Sequence, residues 1–355
     1  MEVWNYLRSV YGKQVITCQQ MMGNECYEDL VFYNATNDLT AMKGYDFIFC
    51  TGSYHSDDMI DEAIEWSKES GGLCAFTWHW NVPKDIDNPE GGYAFYTSEI
   101  TNFSQVNAVT PGTKEYETVI HDIDLIATKI QRMESEGVTI LFRPLHEASG
   151  AWFWWGLQGR DSATNEVFQK LWYMIYDRLE NYHKLTNIIW VWNGQSKKAT
   201  VNANTYDIGG MDVYPSSEDH SVQIASYSTL SKYTDDIGKM SALSEVGYIP
   251  DPEEVFKADS KVKWLYYAPW CKEFVCASNG SGAVITQLGG TPSINTERMS
   301  EAFLKSVYSS EKVITLSELP DFKGTTKKIP EFIKSWKFNN PKLTIENDKL
   351  TAYEQ

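Results

Sequence analysis

The stretch Val138–Gly156 reads "VTILFRPLHEASGAWFWWG". It begins with the β-branched and apolar residues that are typical of a strand buried on both faces of a parallel sheet. Arg143, His146 and Glu147 then follow within five residues, and four consecutive aromatic residues come shortly after them. A purely structural strand has no need of this ending. We therefore interpret the end of the run as part of a functional site.

The same pattern recurs along the chain, and helical segments such as those starting at Asp57 and Asn165 lie between the runs. The runs are VITCQQ from Val15, YDFIFCTG from Tyr45, LCAFTWHW from Leu73, VTILFRPLHE from Val138, NIIWVWNG from Asn187, YDIGGMDVYP from Tyr206, MSALSEVGY from Met240 and KWLYYAPW from Lys263. Eight strand–helix units predict a (β/α)8 TIM barrel of the α/β class. A doubly wound open sheet is the alternative, but no glycine-rich phosphate motif follows the first strand.

No linker, low-complexity tract or tandem repeat divides the sequence. We therefore predict a single catalytic barrel domain over residues 1–355 and expect a monomer. The net charge of −17 and the pI near 4.8 argue against nucleic acid and anionic membrane surfaces as partners. No apolar run reaches 18 residues, so we predict no transmembrane helix. The first ten residues lack a signal-peptide core, although a chain cut to its mature domain would look the same.

Aromatic residues are abundant, with 13 Trp and 21 Tyr. Their flat apolar faces suit both a protein core and the C–H faces of sugars, and we assign about half of the tryptophans to the core. The six cysteines include no CxxC pair, so the spacing of a zinc site is absent. Disulfide bonds of a secreted enzyme and free buried thiols both remain open.

A barrel carries its active site at the carboxyl ends of its strands. Glu147 ends the fourth run and Glu245 the seventh, so both carboxylates can face one cleft. Two carboxylates on either side of a bond are the machinery of glycoside hydrolysis, and a separation of about 5–5.5 Å between them gives retention of configuration. A single Glu at such a position would more simply be a salt-bridge partner of Arg143.

Four motifs carry a resemblance to a known family. "RPLHE" at 143–147, followed by "GAWFWWG" at 150–156, resembles the acid/base signature of glycoside hydrolase family 26, whose members are mostly β-mannanases. "SEVGY" at 244–248 resembles the nucleophile motif of that family, while "TWHWN" at 77–81 and "DVYP" at 212–215 resemble other strand-end motifs. The resemblance runs in the same order from the first strand to the eighth.

The resemblance implies a retaining endo-β-1,4-mannanase that acts on mannan, glucomannan or galactomannan and is secreted. Glu147 would be the acid/base and Glu245 the nucleophile, oriented by the hydroxyl of Tyr214. Arg143 and His146 would set the charge of the acid, and Trp152 would be a platform for the leaving-group sugar. The residues that we expect to contact the substrate are His79, Trp80, Arg143, His146, Trp152, Trp155, Asp212, Tyr214 and Trp270. The resemblance implies no cofactor and no metal.

Other functions fit less well. A β-1,3-1,4-glucanase (lichenase) or a β-1,3-xylanase of the same family would use the same two carboxylates. A non-catalytic polysaccharide-binding barrel would lack at least one of them. A metalloprotease motif is excluded because Gly150 stands where the second His of HExxH should be. A barrel aldolase would place a Lys at a strand end, and these strand ends contain none.

Overall fold

The computed structural model describes residues 2–21, 27–157, 164–279, 283–285 and 292–322. It also describes the backbone of an antiparallel hairpin formed by Leu343–Glu346 and Lys349–Ala352. Cys26 lies outside the described residues. The other five cysteines are buried free thiols, which settles the disulfide alternative for that part of the chain.

Eight parallel strands form a closed barrel. They are β1 (Val15–Gln20), β2 (Met42–Asp46), β3 (Leu73–Thr77), β4 (Ile140–Arg143), β5 (Ile188–Trp192), β6 (Ile208–Val213), β7 (Met240–Val246) and β8 (Tyr266–Pro269). Each pairs with the next in sequence order, and β8 also pairs with β1, with Ile16 opposite Tyr266. The predicted (β/α)8 barrel is therefore confirmed, and the open doubly wound sheet is wrong.

The strands are buried as their apolar runs predicted. All six residues of β1 and all seven of β7 are buried. Two strands differ from the prediction. β2 begins at Met42 and ends at Asp46, whereas the apolar residues Phe47–Cys50 form a 3-10 turn, and β4 ends at Arg143, so Glu147 lies beyond the strand and not at its end. The physical reason is clearest for β2. The strand contains Lys43, whose ammonium group is neutralised by the buried carboxylate of Asp29 at 2.6 Å. Because Lys43 is charged, the pattern of hydrophobic residues did not indicate that the strand begins at Met42.

Helices surround the barrel. They are α1 (Glu2–Val10), α2 (Tyr27–Thr36), α3 (Asp58–Glu65), α4 (Gln105–Ala108), α5 (Lys114–Ser135), α6 (Asn165–Tyr176), α7 (Ile224–Leu230), α8 (Pro252–Val255) and α9 (Glu301–Tyr308). A single π turn extends α3 and another extends α6. Side chains at the N-caps satisfy free backbone N–H groups, as Thr113 does for α5 and Ser300 for α9. In the described part of the chain, no helix is long and apolar enough to span a bilayer.

The loops after β3 and β4 are joined at the mouth of the barrel. The first loop contains a short antiparallel pair, Val82–Pro83 with Tyr93–Ala94. It then meets the second loop through an isolated bridge between Tyr96 and Phe153 and through hydrogen bonds from Thr97 N to Trp152 O and from Trp154 N to Phe95 O. The aromatic stretch after β4 is therefore held as an ordered surface.

Candidate active site

Glu147 and Glu245 meet at the carboxyl end of the barrel. Glu245 lies on β7, and Glu147 lies four residues beyond the end of β4. These two residues and Asp212 at the end of β6 each bring one carboxylate oxygen to within 4.8 Å of the others. The structure thus brings together, from two strands on opposite sides of the barrel, the two carboxylates that the sequence singled out.

The carboxyl group of Glu147 is held in its protonated form. Burial, reinforced by the negative charges of Asp212 and Glu245, raises its pKa to about 8. The indole Nε1 of Trp152 donates a 2.7 Å hydrogen bond to Glu147 Oε2 and opposes part of this increase. At neutral pH Glu147 is therefore a carboxylic acid that can donate a proton.

The backbone that carries Glu147 is strained. Leu145 and Glu147 both have left-handed conformations, with φ of 51° and 53°. Such a conformation costs a non-glycine residue about 1–2 kcal/mol. Asn193 Oδ1 accepts the backbone N–H of Glu147 at 2.8 Å, and the side chain of Leu145 is buried. These contacts offset the strain and fix the direction in which the carboxyl group points.

Glu245 is buried and has a hydrogen-bond donor on each carboxylate oxygen. The guanidinium of Arg143 donates to Oε1, and the hydroxyl of Tyr214 donates to Oε2 at 2.7 Å. The contact expected between Tyr214 and Glu245 is therefore present. The two donors fix the orientation of the carboxylate. Burial and the charge of Glu245 raise the pKa of Tyr214 well above its ordinary value, so its hydroxyl keeps the proton.

Asp212 lies behind Arg143 and accepts hydrogen bonds from the residues around it. Its carboxylate accepts hydrogen bonds from Arg143 at 2.7 Å, from Asn193 at 2.8 Å and from Ser244 at 2.7 Å. Its side chain has no exposed surface. We expected Asp212 to contact the substrate, whereas the structure places its carboxylate behind Arg143, where it orients the guanidinium toward Glu245.

His79 and His146 form a pair beneath the cleft. Their Nε2 atoms lie 3.2 Å apart, His79 Nδ1 faces Asp46, and His146 Nδ1 faces the hydroxyl of Thr77 at 3.2 Å. We expected His146 to hydrogen-bond near Glu147 and to set its charge. Both ring nitrogens of His146 are instead engaged elsewhere, and the side chain is completely buried, so the nearest donor to Glu147 is Trp152.

The aromatic residues are distributed between the core and the cleft differently from the prediction. Trp80 is fully buried, stacks on Trp78 with ring centroids 3.9 Å apart and donates to Asp122. Trp155 is also fully buried, stacks on Phe153 and donates to the backbone oxygen of His146 at 2.8 Å. The expectation that these two rings contact a substrate is corrected, because neither ring has any accessible surface.

Other predicted residues do face the cleft. Trp152 is 49% exposed while its indole N–H stays on Glu147, and Tyr214 is 42% exposed while its hydroxyl stays on Glu245. Trp270 is partly exposed, and its ring meets His79 edge-on at 5.8 Å. Trp152 and Tyr214 therefore place a partly exposed aromatic ring beside each of the two carboxylates.

Three residues of the site were missed by sequence reasoning. Asp46 was hidden inside an apolar run that the structure divides into a strand and a 3-10 turn. Asn193 was visible at a strand end, but nothing in the sequence linked it to the backbone of Glu147. Tyr96 is 42% exposed and lies close enough for the charge of Glu147 to raise its pKa, after the larger effect of burial. Its position in a loop gave no signal.

The carboxylates of Glu147, Asp212 and Glu245 are hard oxygen donors of the kind that bind divalent cations. Arg143 already lies between two of them and donates to both. Although burial disfavours the charged guanidinium, the charges of Asp212 and Glu245 outweigh that effect and raise the pKa of Arg143. Arg143 therefore supplies a positive charge to Asp212 and Glu245 at this position.

Comparison with known proteins finds a family, curated relatives and solved structures that resemble this chain. Residues 1–283 match the family described as Glycosyl hydrolase family 26. Mannan endo-1,4-β-mannosidase A of Piromyces sp is 34% identical over 333 residues, which are 90% of this chain and 49% of that protein. Mannan endo-1,4-β-mannosidase of Thermothelomyces thermophilus is 33% identical over 89% of this chain and 60% of that protein. The chain thus spans about half the length of the curated relatives that it matches.

Solved structures share the fold. A ruminal GH26 endo-β-1,4-mannanase superposes with a TM-score of 0.77 at 29% identity, over 91% of this chain and 68% of that one. A β-mannanase from a symbiotic protist of the termite Reticulitermes speratus, complexed with gluco-manno-oligosaccharide, gives a TM-score of 0.75 at 28% identity, over 90% of this chain and 94% of that one.

Proposed function

This chain belongs to glycosyl hydrolase family 26, and from that membership we propose that it is a retaining endo-β-1,4-mannanase with Glu147 as acid/base and Glu245 as nucleophile. One observation carries the proposal. The carboxylate oxygens of these residues lie within 4.8 Å of each other at the mouth of the barrel. Inversion needs a wider gap, because a water must fit between the carboxylate and the sugar. A pair this close instead suits direct attack on the sugar by a carboxylate.

The first step breaks the bond between two sugars. Glu147, protonated because its pKa is raised to about 8, gives its proton to the glycosidic oxygen as the C–O bond breaks. Glu245 Oε attacks the anomeric carbon and forms a covalent glycosyl ester. Arg143 and Tyr214 hold the attacking carboxylate in place, and Trp152 lies beside the acid, where the leaving sugar would stack.

The second step reverses the role of Glu147. Forming the ester removes the negative charge of Glu245, which is one of the causes of the raised pKa of Glu147. The pKa of Glu147 therefore falls, and its carboxylate accepts a proton from water. The resulting hydroxide equivalent attacks the anomeric carbon, the ester bond breaks, and Glu245 returns as a carboxylate. The product keeps the configuration of the substrate.

A mannan backbone is supported by the relatives, since three curated proteins that are 33–34% identical over most of this chain are named mannan endo-1,4-β-mannosidases. Glucomannan is included because a neighbour of known structure is complexed with gluco-manno-oligosaccharide. Action outside the cell on hemicellulose is part of the proposal, because a polymeric substrate must be cut before uptake. A monomeric protein with one barrel domain over residues 1–355 is also part of it.

The substrate is tested by incubating the protein with linear mannan, lichenan and β-1,3-xylan and sizing the products. Release of short manno-oligosaccharides from mannan, with the anomeric configuration retained in ¹H NMR of the initial products, is the expected result. Products from lichenan or β-1,3-xylan alone would keep the mechanism and overturn the substrate. Inverted products would overturn the role of Glu245 as a nucleophile.

The roles of the two carboxylates are separated by two substitutions. Glu147→Gln is expected to lower kcat on mannan by about 10²–10⁴-fold, the usual contribution of general acid–base catalysis. It should retain the first step on an aryl mannoside whose leaving group needs no proton. Glu245→Gln should abolish turnover of both substrates. Glu180→Gln is the matched control, since Glu180 also accepts an indole N–H, from Trp190 at 2.7 Å, outside the site.

A further inference from the structure

A continuous chain of hydrogen bonds runs under the cleft from β2 to β4. Asp46 Oδ2 lies 2.5 Å from His79 Nδ1, His79 Nε2 lies 3.2 Å from His146 Nε2, and His146 Nδ1 lies 3.2 Å from Thr77 Oγ1. The hydroxyl of Thr77 is in turn 3.3 Å from the backbone oxygen of Arg143. Asp46, Thr77 and His146 are essentially inaccessible to solvent. Each link must therefore be satisfied within the protein.

The donors and acceptors allow only two totals of hydrogens along this series of contacts. Asp46 already accepts the backbone N–H groups of Ile48 and His79, so it acts as an acceptor, and the hydrogen facing it belongs to His79 Nδ1. If Thr77 donates to the oxygen of Arg143, then His146 Nδ1–H donates to Thr77. One hydrogen then lies between the two Nε2 atoms, on His79 or on His146. Asp46 lies against His79, whereas the ring of the fully buried His146 hydrogen-bonds to His79 and Thr77, so the positive charge and this hydrogen belong to His79. In this arrangement His79 is an imidazolium and all four contacts are made.

The second arrangement holds one proton fewer. Thr77 would donate to His146 Nδ1, His146 Nε2–H would donate to a neutral His79, and the oxygen of Arg143 would lose its bond from Thr77. The buried carboxylate of Asp46 would then be balanced by neutral N–H donors alone, and these stabilise a buried charge less than an imidazolium does. The first arrangement pairs that charge and makes every contact.

His146 is the residue through which this series of hydrogen bonds reaches the turn that carries the proposed acid. It stands between Leu145 and Glu147, the two residues with left-handed backbones. Its ring is fixed by His79 and Thr77, and its backbone oxygen accepts the indole N–H of Trp155 at 2.8 Å. Fixing the middle residue of a strained turn restricts both of its neighbours, and so determines where the side chain of Glu147 points.

From this geometry we infer that Asp46 is a positioning residue for Glu147. Asp46 keeps His79 doubly protonated. His79 in turn holds His146 as the Nδ1–H tautomer, in the turn that precedes the acid. The inference rests on the proposed role of Glu147. It assigns to His79 a role in orientation, because both of its ring nitrogens are already engaged. His79 also keeps an edge in the cleft, where it is bordered by Phe95, Phe153 and Trp270.

The charges around the two rings are consistent with this assignment. Asp46 approaches from β2 and Arg143 from β4, and the guanidinium of Arg143 is itself paired with Asp212 and Glu245. Burial, together with the positive charges of His79 and Arg143, lowers the pKa of His146 well below its ordinary value, so its ring is neutral. A neutral His146 agrees with the positive charge lying on His79, beside Asp46.

The test is NMR of the full-length protein labelled with ¹⁵N in histidine and tryptophan, without substrate, at pH 7. The six histidines are assigned with His79→Gln and His146→Gln. We expect imidazolium shifts for both nitrogens of His79 and the Nδ1–H neutral pattern for His146. In Asp46→Asn, His79 should lose a proton, and the indole N–H of Trp152, which donates to Glu147, should shift. A neutral His79 in the wild type, or unchanged signals in Asp46→Asn, would overturn the inference.

Kinetics provide the second measurement. In Asp46→Asn we expect kcat on mannan to fall about 10²-fold with little change in KM, since misplacing a reacting group by about 1 Å has this effect. The control is Asp235→Asn, which removes a carboxylate that binds Tyr11 and Tyr227 away from the cleft and should leave kcat unchanged. An unchanged kcat in a folded Asp46→Asn protein would overturn the positioning role. If the wild type cleaves no mannan, the proposed function fails, while the NMR result still decides the inference.

Discussion

At the scale of single residues, the protonation of Glu147 follows from a small number of contacts. Burial and two neighbouring carboxylates raise its pKa to about 8, and the indole of Trp152 acts in the opposite direction. The folded pKa is raised above the ordinary value for a glutamic acid, so the charged form is disfavoured in the native state. This contribution to folding is therefore favourable at low pH and is lost as the pH rises toward 8.

The pH dependence of activity follows with a definite sign. The proposed first step needs Glu147 protonated in the free enzyme, so kcat/KM on mannan should fall as the pH rises through about 8. The measurement is kcat/KM from pH 5 to 10, with circular dichroism to confirm that the protein stays folded. An activity that rises through pH 8 would contradict the acid role of Glu147.

Replacing Trp152 tests the hydrogen bond that opposes the rise in the pKa of Glu147. Trp152→Phe keeps an aromatic ring but removes the N–H that favours the charged carboxylate. The pKa of Glu147 should therefore rise, and the alkaline fall of kcat/KM should move to higher pH. Trp190→Phe is the control, because it removes an equivalent indole donor from Glu180 and should leave the pH profile unchanged. A shift of the fall to lower pH would show that Trp152 acts differently.

At the scale of elements, β6 shows how a strand can be adapted to its site. Gly209 and Gly210 are adjacent and face opposite sides of the barrel wall. A Cβ at Gly210 would lie 2.4 Å from Ser244 Oγ and 2.9 Å from Asn193 Nδ2, inside the polar network that holds Asp212. A Cβ at Gly209 would instead lie 2.5 Å from Thr234 Cγ2, on the helix side.

These two positions give a matched prediction. Both alanine substitutions should lower the free energy of unfolding by about 1–3 kcal/mol, because overpacking displaces neighbouring atoms. Only Gly210→Ala should also lower kcat, since it displaces Ser244 and Asn193, the donors that orient Asp212 and hence Arg143. Urea unfolding and mannan kinetics on both variants provide the comparison. An equal kcat for the two variants would mean that the network does not transmit the displacement to Glu245.

At the scale of the whole molecule, the barrel depends on residues beyond the part that matches the family. The match ends at residue 283, yet Val313–Ile314 pairs with β1 and α9 packs with buried side chains, among them Leu304. Leu304→Ala should lower the free energy of unfolding by about 2–5 kcal/mol, the usual cost of a cavity at a buried leucine. Urea unfolding measures it. The control is Ser306→Ala, which is exposed on the same helix and should change the free energy of unfolding by less than about 0.5 kcal/mol. Equal changes for Leu304→Ala and Ser306→Ala would show that α9 is not part of the core.

Much of the fold could be predicted because its pattern is local. Continuous apolar runs can only be satisfied by burial on both faces, and eight of them with helices between them leave a closed barrel as the consistent arrangement. The clearest exception was β2, whose buried Lys43 needed a partner, Asp29, from another element. A reading of hydrophobicity along the chain has no way to detect such a partner.

The sequence by itself determined that this protein is a barrel and that Glu147 and Glu245 stand at or just beyond strand ends, since both follow from residue order and alternation with helices. The tertiary structure alone decided how close the two carboxylates come and which groups donate to them. It also decided that Trp152 faces the cleft while Trp80 and Trp155 belong to the core. An indole ring is suited to either place, and only the path of the loops after β3 and β4 determines which side of the ring meets solvent.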